Sequence, residues 1–217
     1  MATPPTITLD PANPGQALLA RAAGVLAEGG LVIYPTETLY GIAADYRNDG
    51  ALARLVVLKG RDGAKPFPLI LASPDEVDSL ALAIPPQARE LMARFWPGPL
   101  TLVLAARPGL SPRLLSPEGG VGLRVSSHPV AAGLAAGLGR AITATSANLA
   151  GQPPASRVED LAPALLAGVD LVLDAGPTPG GPPSTVLDAR AWPPKVLRQG
   201  AITIQALGLA GPRRPEC

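Results

Sequence analysis

Apolar residues along this chain switch repeatedly between helical spacing and short unbroken runs. Leu18, Leu19, Ala22, Val25 and Leu26 share one helical face and predict a helix over residues 16–28, stopped by Gly29-Gly30. Residues 31–34, Leu-Val-Ile-Tyr, are apolar throughout and read as a buried strand. Ala51, Leu52, Leu55, Val56 and Leu58 form the face of a second helix, capped by Asn48 or Asp49 and ending near Gly60. Residues 6–9, set among Pro4, Pro5, Pro11 and Pro14, read as an edge strand or arm. Further strands are predicted at 67–71, 100–105, 122–125, 141–145, 170–173, 184–187 and 195–197. Helices fit between them at 74–82, 86–95, 129–138 and 158–167. Strands and helices interleave, so the expected class is α/β: one domain with a twisted, mixed parallel and antiparallel sheet and flanking helices.

Composition sharpens this picture and removes several functions. The 217 residues suit a single domain, with a core over about residues 6–207 and a loose tail at 208–217. A hydrophobic fraction of 47% is ample for a packed core. The 24 Gly and 27 Pro are dispersed among apolar runs and mark turns, including a Gly/Pro connector at 175–183 within the domain. Two Trp, three Tyr and two Phe cannot build a base-stacking platform of many aromatics. A lone Cys217 excludes a disulfide framework or thiolate cluster, and a lone His128 excludes multi-histidine metal sites, so no protein-held metal is expected. A net charge of +1 argues against bulk nucleic-acid binding. No run approaches the ~18 apolar residues of a membrane span, and a reducing, cytoplasmic setting fits.

The familiar nucleotide fingerprints are missing: there is no Gly-Lys dipeptide for a P-loop and no G-x-G-x-x-G opening a helix. G-x-S-x-G is also absent, and a Ser–His–Asp triad would have to use His128, whose plainer reading is a loop or helix-start residue. Three polar groups remain, at the ends of predicted elements. Thr36, Glu37, Thr38 and Tyr40 follow the first strand and either present hydroxyls to a ligand or form a turn with hydroxyl–backbone bonds. Lys59-Gly60-Arg61, with Lys65 close by, either complements a helix dipole or offers a point charge and a planar fork to phosphates. Thr143 to Asn148 supplies hydroxyls and an amide amid small residues. Arg124 and Arg198 lie in or beside predicted strands, where each needs a carboxylate from the protein or from a substrate.

In this order the strings resemble the YrdC-like family of threonylcarbamoyl-AMP synthases, the TsaC type. The matching segments are Tyr34-Pro35-Thr36-Glu37-Thr38-Leu39-Tyr40-Gly41, Lys59-Gly60-Arg61, Trp96-Pro97-Gly98-Pro99-Leu100-Thr101, Gly122-Leu123-Arg124-Val125, Ser146-Ala147-Asn148, Ser184-Thr185-Val186 and Leu197-Arg198-Gln199-Gly200. The resemblance implies an α/β fold around a concave, positively charged cavity. It also implies that L-threonine, bicarbonate and ATP give threonylcarbamoyl-AMP and pyrophosphate, Mg²⁺ riding on the phosphates. Partner proteins would then move the threonylcarbamoyl group to tRNA, beside the anticodon. Carried over by position, Lys59, Arg61, Ser146 and Asn148 form the catalytic signature around ATP. Lys65 and Arg198 join Arg61 and Ser146 as nucleotide contacts, and Thr38, Tyr40, Arg124 and Ser184 form the threonine pocket.

This sequence departs from the family pattern at three points. Ile70 stands where longer members carry a His near threonine, and Lys65 stands where many relatives have Asn. The chain stops soon after Gln205, which reads as the short, single-domain form. A lid is then expected from residues 61–65 or 175–183. Two rival readings are an RNA-binding module using the same cations and an enzyme handling carbamoyl phosphate, for which Thr38, Arg124 and Ser184 would lack a purpose.

Overall fold

A computed structural model describes residues 3–60 and 65–209 of the chain. Its strands are β1 (Thr6–Thr8), β2 (Val32–Pro35), β3 (Tyr40–Ala43), β4 (Leu69–Leu71), β5 (Ala81–Leu82), β6 (Leu100–Ala106), β7 (Gly120–Val125), β8 (Ile142–Thr143), β9 (Thr145–Ser146), β10 (Leu171–Asp174), β11 (Thr185–Asp188) and β12 (Lys195–Arg198). The α-helices are α1 (Gln16–Ala27), α2 (Asp49–Lys59), α3 (Val77–Leu80), α4 (Pro86–Phe95), α5 (Pro129–Leu138) and α6 (Pro163–Leu166). Two mixed sheets result. One runs β1-β10-β2-β3-β9; the other runs β12-β11-β6-β7-β4-β8, with β5 on the side of β6.

Alternation along the strands decides which face of the second sheet is core. Leu100, Leu102 and Leu104 of β6 and Val121, Leu123 and Val125 of β7 are buried together in the larger apolar cluster. Thr101 and Val103 of β6, and Gly120, Gly122 and Arg124 of β7, therefore point the opposite way, toward a cavity. A smaller cluster lies under α1 and α5, built on Leu26, Val32, Tyr34, Ile70, Val130, Leu134 and Leu171. Those helices approach closely, because a Cβ on Gly133 would stand 2.5 Å from Leu19 Cδ1.

The mixed α/β organisation matches the sequence reading, and the pieces that differ have physical causes. The predicted strand at 141–145 is broken at Ala144, so β8 pairs with β4 in one sheet while β9 pairs with β3 in the other. The predicted helix at 74–82 is a 3-10 turn (Pro74–Glu76) and a single α turn, after which Ala81 and Leu82 pair with β6. The predicted helix at 158–167 is interrupted because Pro163 can only begin a helix, leaving Leu161 and Ala162 extended. β3 was not foreseen. Residues 40–43 return antiparallel to β2 through a turn that Thr36 holds, its hydroxyl donating to Leu39 O at 2.7 Å and accepting from the Thr38 and Leu39 amides at 3.2 Å.

Candidate active site

Between the two sheets lies a cavity of about 790 Å³. Tyr40 and Gly41 of β3 and Thr145 and Ser146 of β9 line one side. The other side is formed by the outward faces of β6 and β7, by Ser184, Val186 and Asp188 at β11, and by Lys195, Leu197 and Arg198 of β12. Glycines open the space: Gly120 and Gly122 face it without side chains, and Gly41 lies directly across the β3–β9 ladder from Ser146. Among the described lining residues Lys65, Arg124, Arg190, Lys195 and Arg198 are basic, against Glu118 and Asp188.

Arg124 is almost wholly buried and ion-pairs with Glu37, a carboxylate only 12% exposed. Ser126 Oγ donates to the other oxygen of Glu37. The protein therefore supplies the carboxylate that an arginine inside a strand requires. With one nitrogen committed, the rest of the five-donor fork is held in a fixed plane at the cavity wall. Across the same wall, Arg198 donates through Nε to Ser184 O and through a terminal nitrogen to Ser184 Oγ, both at 3.0 Å. Ser184 Oγ also lies 3.0 Å from Thr101 Oγ1. Solvent still reaches Arg198, yet enclosure by the cavity and then the charge of Arg124 push its guanidinium below its ordinary range. The charge of Arg124 is matched by Glu37, whereas the hydrogen bonds of Arg198 go to neutral Ser184 atoms.

Asp188 and Arg190 form a further pair on the lining, in contact at 2.6 and 2.9 Å. The hydrogen bond from Arg190 holds the Asp188 carboxyl below the usual carboxylate range. Arg190 also reaches Glu118 O at 2.7 Å, tying the start of β7 to the end of β11.

The corner at β9 is built differently. Leu52, Leu55 and Lys59 follow one another along the buried stripe of α2, so Lys59 enters the interior although it is charged. Its Nζ donates to Ser146 O at 2.6 Å, to Asn148 Oδ1 at 2.9 Å and to Asn148 O. Gly60 then takes the left-handed conformation, φ 59°, that ends the helix. Ser146 Oγ donates to Asn148 Oδ1 at 2.5 Å, and Asn148 Nδ2 donates to Gln152 O at 2.6 Å.

Of the residues singled out from sequence, Thr38, Tyr40, Lys65, Arg124, Ser146, Ser184 and Arg198 all line this one cavity. Lys59 and Asn148 stand behind Ser146 and not on the wall. Arg61 lies outside the described residues. Tyr40 directs its hydroxyl away from β9, donating to Gly176 O at 2.7 Å and accepting from Ala175 N at 3.1 Å; burial pushes its pKa up to about 12. Ile70 is fully buried in the smaller core cluster and does not form a wall of the cavity. His128 caps α5, its Nδ1 accepting from Val130 N at 3.2 Å, which is the helix-start reading. The connector at 175–183 is tied down, Gly180 N donating to Thr38 O at 2.8 Å and Thr178 N to Ser156 O at 2.9 Å. Residues 61–64 of the other proposed lid lie outside the described residues. Sequence reasoning gave Thr101, the last residue of a matching segment, no role and missed Asp188 and Arg190; the alternation Leu-Thr-Leu-Val-Leu in β6 was the available signal for the first.

Residues 24–200 match the family model Sua5_yciO_yrdC, described as Telomere recombination. The chain belongs to that family. It is 38% identical over 189 residues to the threonylcarbamoyl-AMP synthase of Pyrococcus abyssi, a match covering 86% of this chain and 55% of that protein. It is 37% identical over 204 residues to a putative threonylcarbamoyl-AMP synthase of Mycobacterium tuberculosis, covering 93% of this chain and 94% of the relative. The chain thus spans about half the length of the Pyrococcus abyssi relative. Among solved structures, P. abyssi Sua5 complexed with L-threonine superposes with a TM-score of 0.87 at 34% identity, covering 92% of this chain and 58% of that one. No helix among the described residues is long and apolar enough to cross a membrane.

Proposed function

We propose that the chain is a threonylcarbamoyl-AMP synthase, condensing L-threonine, bicarbonate and ATP to threonylcarbamoyl-AMP with release of pyrophosphate. The observation that carries this reading is the convergence of Thr38, Arg124, Ser146, Ser184 and Arg198 on one cavity from five separate stretches of a family member. Thr38, Arg124 and Ser184, with Tyr40, would hold threonine, the oriented Arg124 fork receiving its carboxylate. Lys65, Arg198, Ser146 and Arg61 would hold the nucleotide. Lys59 and Asn148 act in the ATP corner through Ser146.

The chemistry needs no protein nucleophile. The threonine amine and bicarbonate form a carbamate, whose oxygen attacks the α-phosphorus as the bond to pyrophosphate breaks. Positioning and charge neutralisation are what the cavity supplies. Among the described residues no group of three or more His, Cys, Asp or Glu is placed to hold a metal ion. In this reading Mg²⁺ enters as part of the nucleotide substrate. The product would pass to transferase proteins acting on tRNA, and a cytoplasmic place of action goes with it.

The test is pyrophosphate release from Mg·ATP with L-threonine and bicarbonate omitted in turn. Release that requires both is expected. Release indifferent to threonine, or none at all, would overturn the reading; RNA retention that weakens steeply with salt and ignores threonine would replace it with a binding module.

A further inference from the structure

Ser146 meets the cavity with a hydrogen bond already spent. Lys59 Nζ is a donor only, so the Asn148 side-chain atom 2.9 Å from it must be the oxygen. Gln152 O is an acceptor only, so the atom 2.6 Å from it must be the Asn148 nitrogen. Both constraints agree, and they fix the amide orientation without appeal to anything else. Asn148 Oδ1 cannot donate, so across the 2.5 Å contact the proton comes from Ser146 Oγ. A serine hydroxyl has one proton. What Ser146 turns to the cavity is lone pairs, and among the described residues no group donates to its Oγ.

We infer that Lys59, acting through Asn148, fixes Ser146 as a hydrogen-bond acceptor toward the substrates. This rests on the synthase reading and sharpens it: Ser146 contacts an electropositive atom and is closed to a bare phosphate oxygen, which would face lone pair against lone pair. That atom is either an N–H of the amino-acid substrate or the divalent cation carried by the nucleotide. Lys59 and Asn148 are positioning residues in this arrangement. The buried ammonium contributes by setting the polarity of a hydroxyl and not by neutralising phosphate charge directly.

Titration calorimetry on the full chain separates the cases, using L-threonine, Mg·ATP and ATP with EDTA as three titrants. Ser146→Ala is expected to weaken either the threonine or the Mg·ATP arm about tenfold, as loss of a charge-assisted bond does, and to leave metal-free ATP within about twofold. The arm affected identifies the source of the electropositive atom. Equal weakening of both ATP arms, or no change in any arm, would overturn the inference.

Asn148→Ala releases the Ser146 proton, so the arm that Ser146→Ala weakens, threonine or Mg·ATP, should lose affinity severalfold relative to metal-free ATP. Asn148→Asp keeps an oxygen acceptor beside Lys59 and should preserve the wild-type ratio. A merely structural role for Asn148 would leave that ratio unmoved in both variants, and so would sink the proposal. Wild-type protein that binds neither threonine nor ATP would instead remove the synthase reading itself.

Discussion

Arg124 and Lys59 each bring positive charge to the cavity region from a regular element, and each is deeply buried, yet they are secured by different means. Arg124 neutralises its charge against Glu37 and keeps the remainder of its fork at the wall. Lys59 has two backbone carbonyls and an amide oxygen around its ammonium and stays behind the wall. The first arrangement turns directional donors toward the cavity. The second uses a charge to shape a loop that lines the cavity. A cation near a cavity is therefore assigned its work by what already surrounds it.

Breaking the Arg124 arrangement should cost most. Arg124→Gln strands the Glu37 carboxylate in a nearly closed environment with Ser126 as its remaining hydrogen-bond donor among the described residues. Removing one partner of such a pair costs about 3 kcal/mol or more. Urea denaturation should show a loss of that size, with threonine binding abolished. A variant of wild-type stability would mean that the pair is screened as a surface ion pair is.

Lys59→Met should follow, at about 2–3 kcal/mol, since it keeps most of the buried stem but takes the ammonium away from Asn148 O and Asn148 Oδ1 and leaves Ser146 O with the Asn148 amide as its donor. The diagnostic is the comparison with Arg124→Gln: both lose stability, but Lys59→Met should keep threonine binding, weakened at most about tenfold, where Arg124→Gln abolishes it. Equal loss of threonine affinity in the two variants would erase the distinction between wall and scaffold.

Much of this contrast was open to reading in the sequence, and the remainder depended on long-range pairing. The α2 stripe Leu52, Leu55, Lys59 keeps helical spacing, so the inward direction of Lys59 was legible from periodicity. Likewise, alternation in β6 and β7 separates the leucine and valine face from Thr101 and Arg124. The Glu37–Arg124 pair joins residues 87 apart, and no local pattern chooses Glu37 from the acidic residues available. β3 was hidden because Thr36-Glu37-Thr38 looks like a ligand loop; it is a hairpin turn that also brings Thr38 to the cavity. The break at Ala144 escaped notice because two successive short ladders to different sheets look like one strand in a linear pattern.

Arg198 offers the complementary case, a cation on the wall that donates to Ser184 O and Ser184 Oγ and, among the described residues, to no carboxylate. Arg198→Gln should change stability by less than about 0.5 kcal/mol, as substitutions at solvent-accessible positions do. ATP affinity should nonetheless fall about tenfold, the loss of one charge-assisted contact. Calorimetry and denaturation on the same preparation check both halves; a large stability loss would place Arg198 with Arg124 as a framework residue.

The smallest expected effect lies at Asp188 and Arg190, which share the wall with Arg198 but neutralise each other. Both are partly open to water, so the pair contributes at most a few tenths of a kcal/mol after screening. Its signature is the pH dependence. Asp188 is held below the ordinary carboxylate range in the folded chain, first by the Arg190 hydrogen bond, so the unfolded chain binds its proton more readily. Its contribution is then complete above the unfolded pKa of about 3.9 and disappears as pH falls through the lower folded value. The stability difference between wild type and Asp188→Asn should accordingly be flat from neutral pH to about pH 5 and shrink below about pH 4. A difference that instead grew on acidification would mean that Asp188 is stabilised in its protonated form. In that case Arg190 would be available to a ligand, and the wall would carry one more working cation than Arg124 and Arg198 provide.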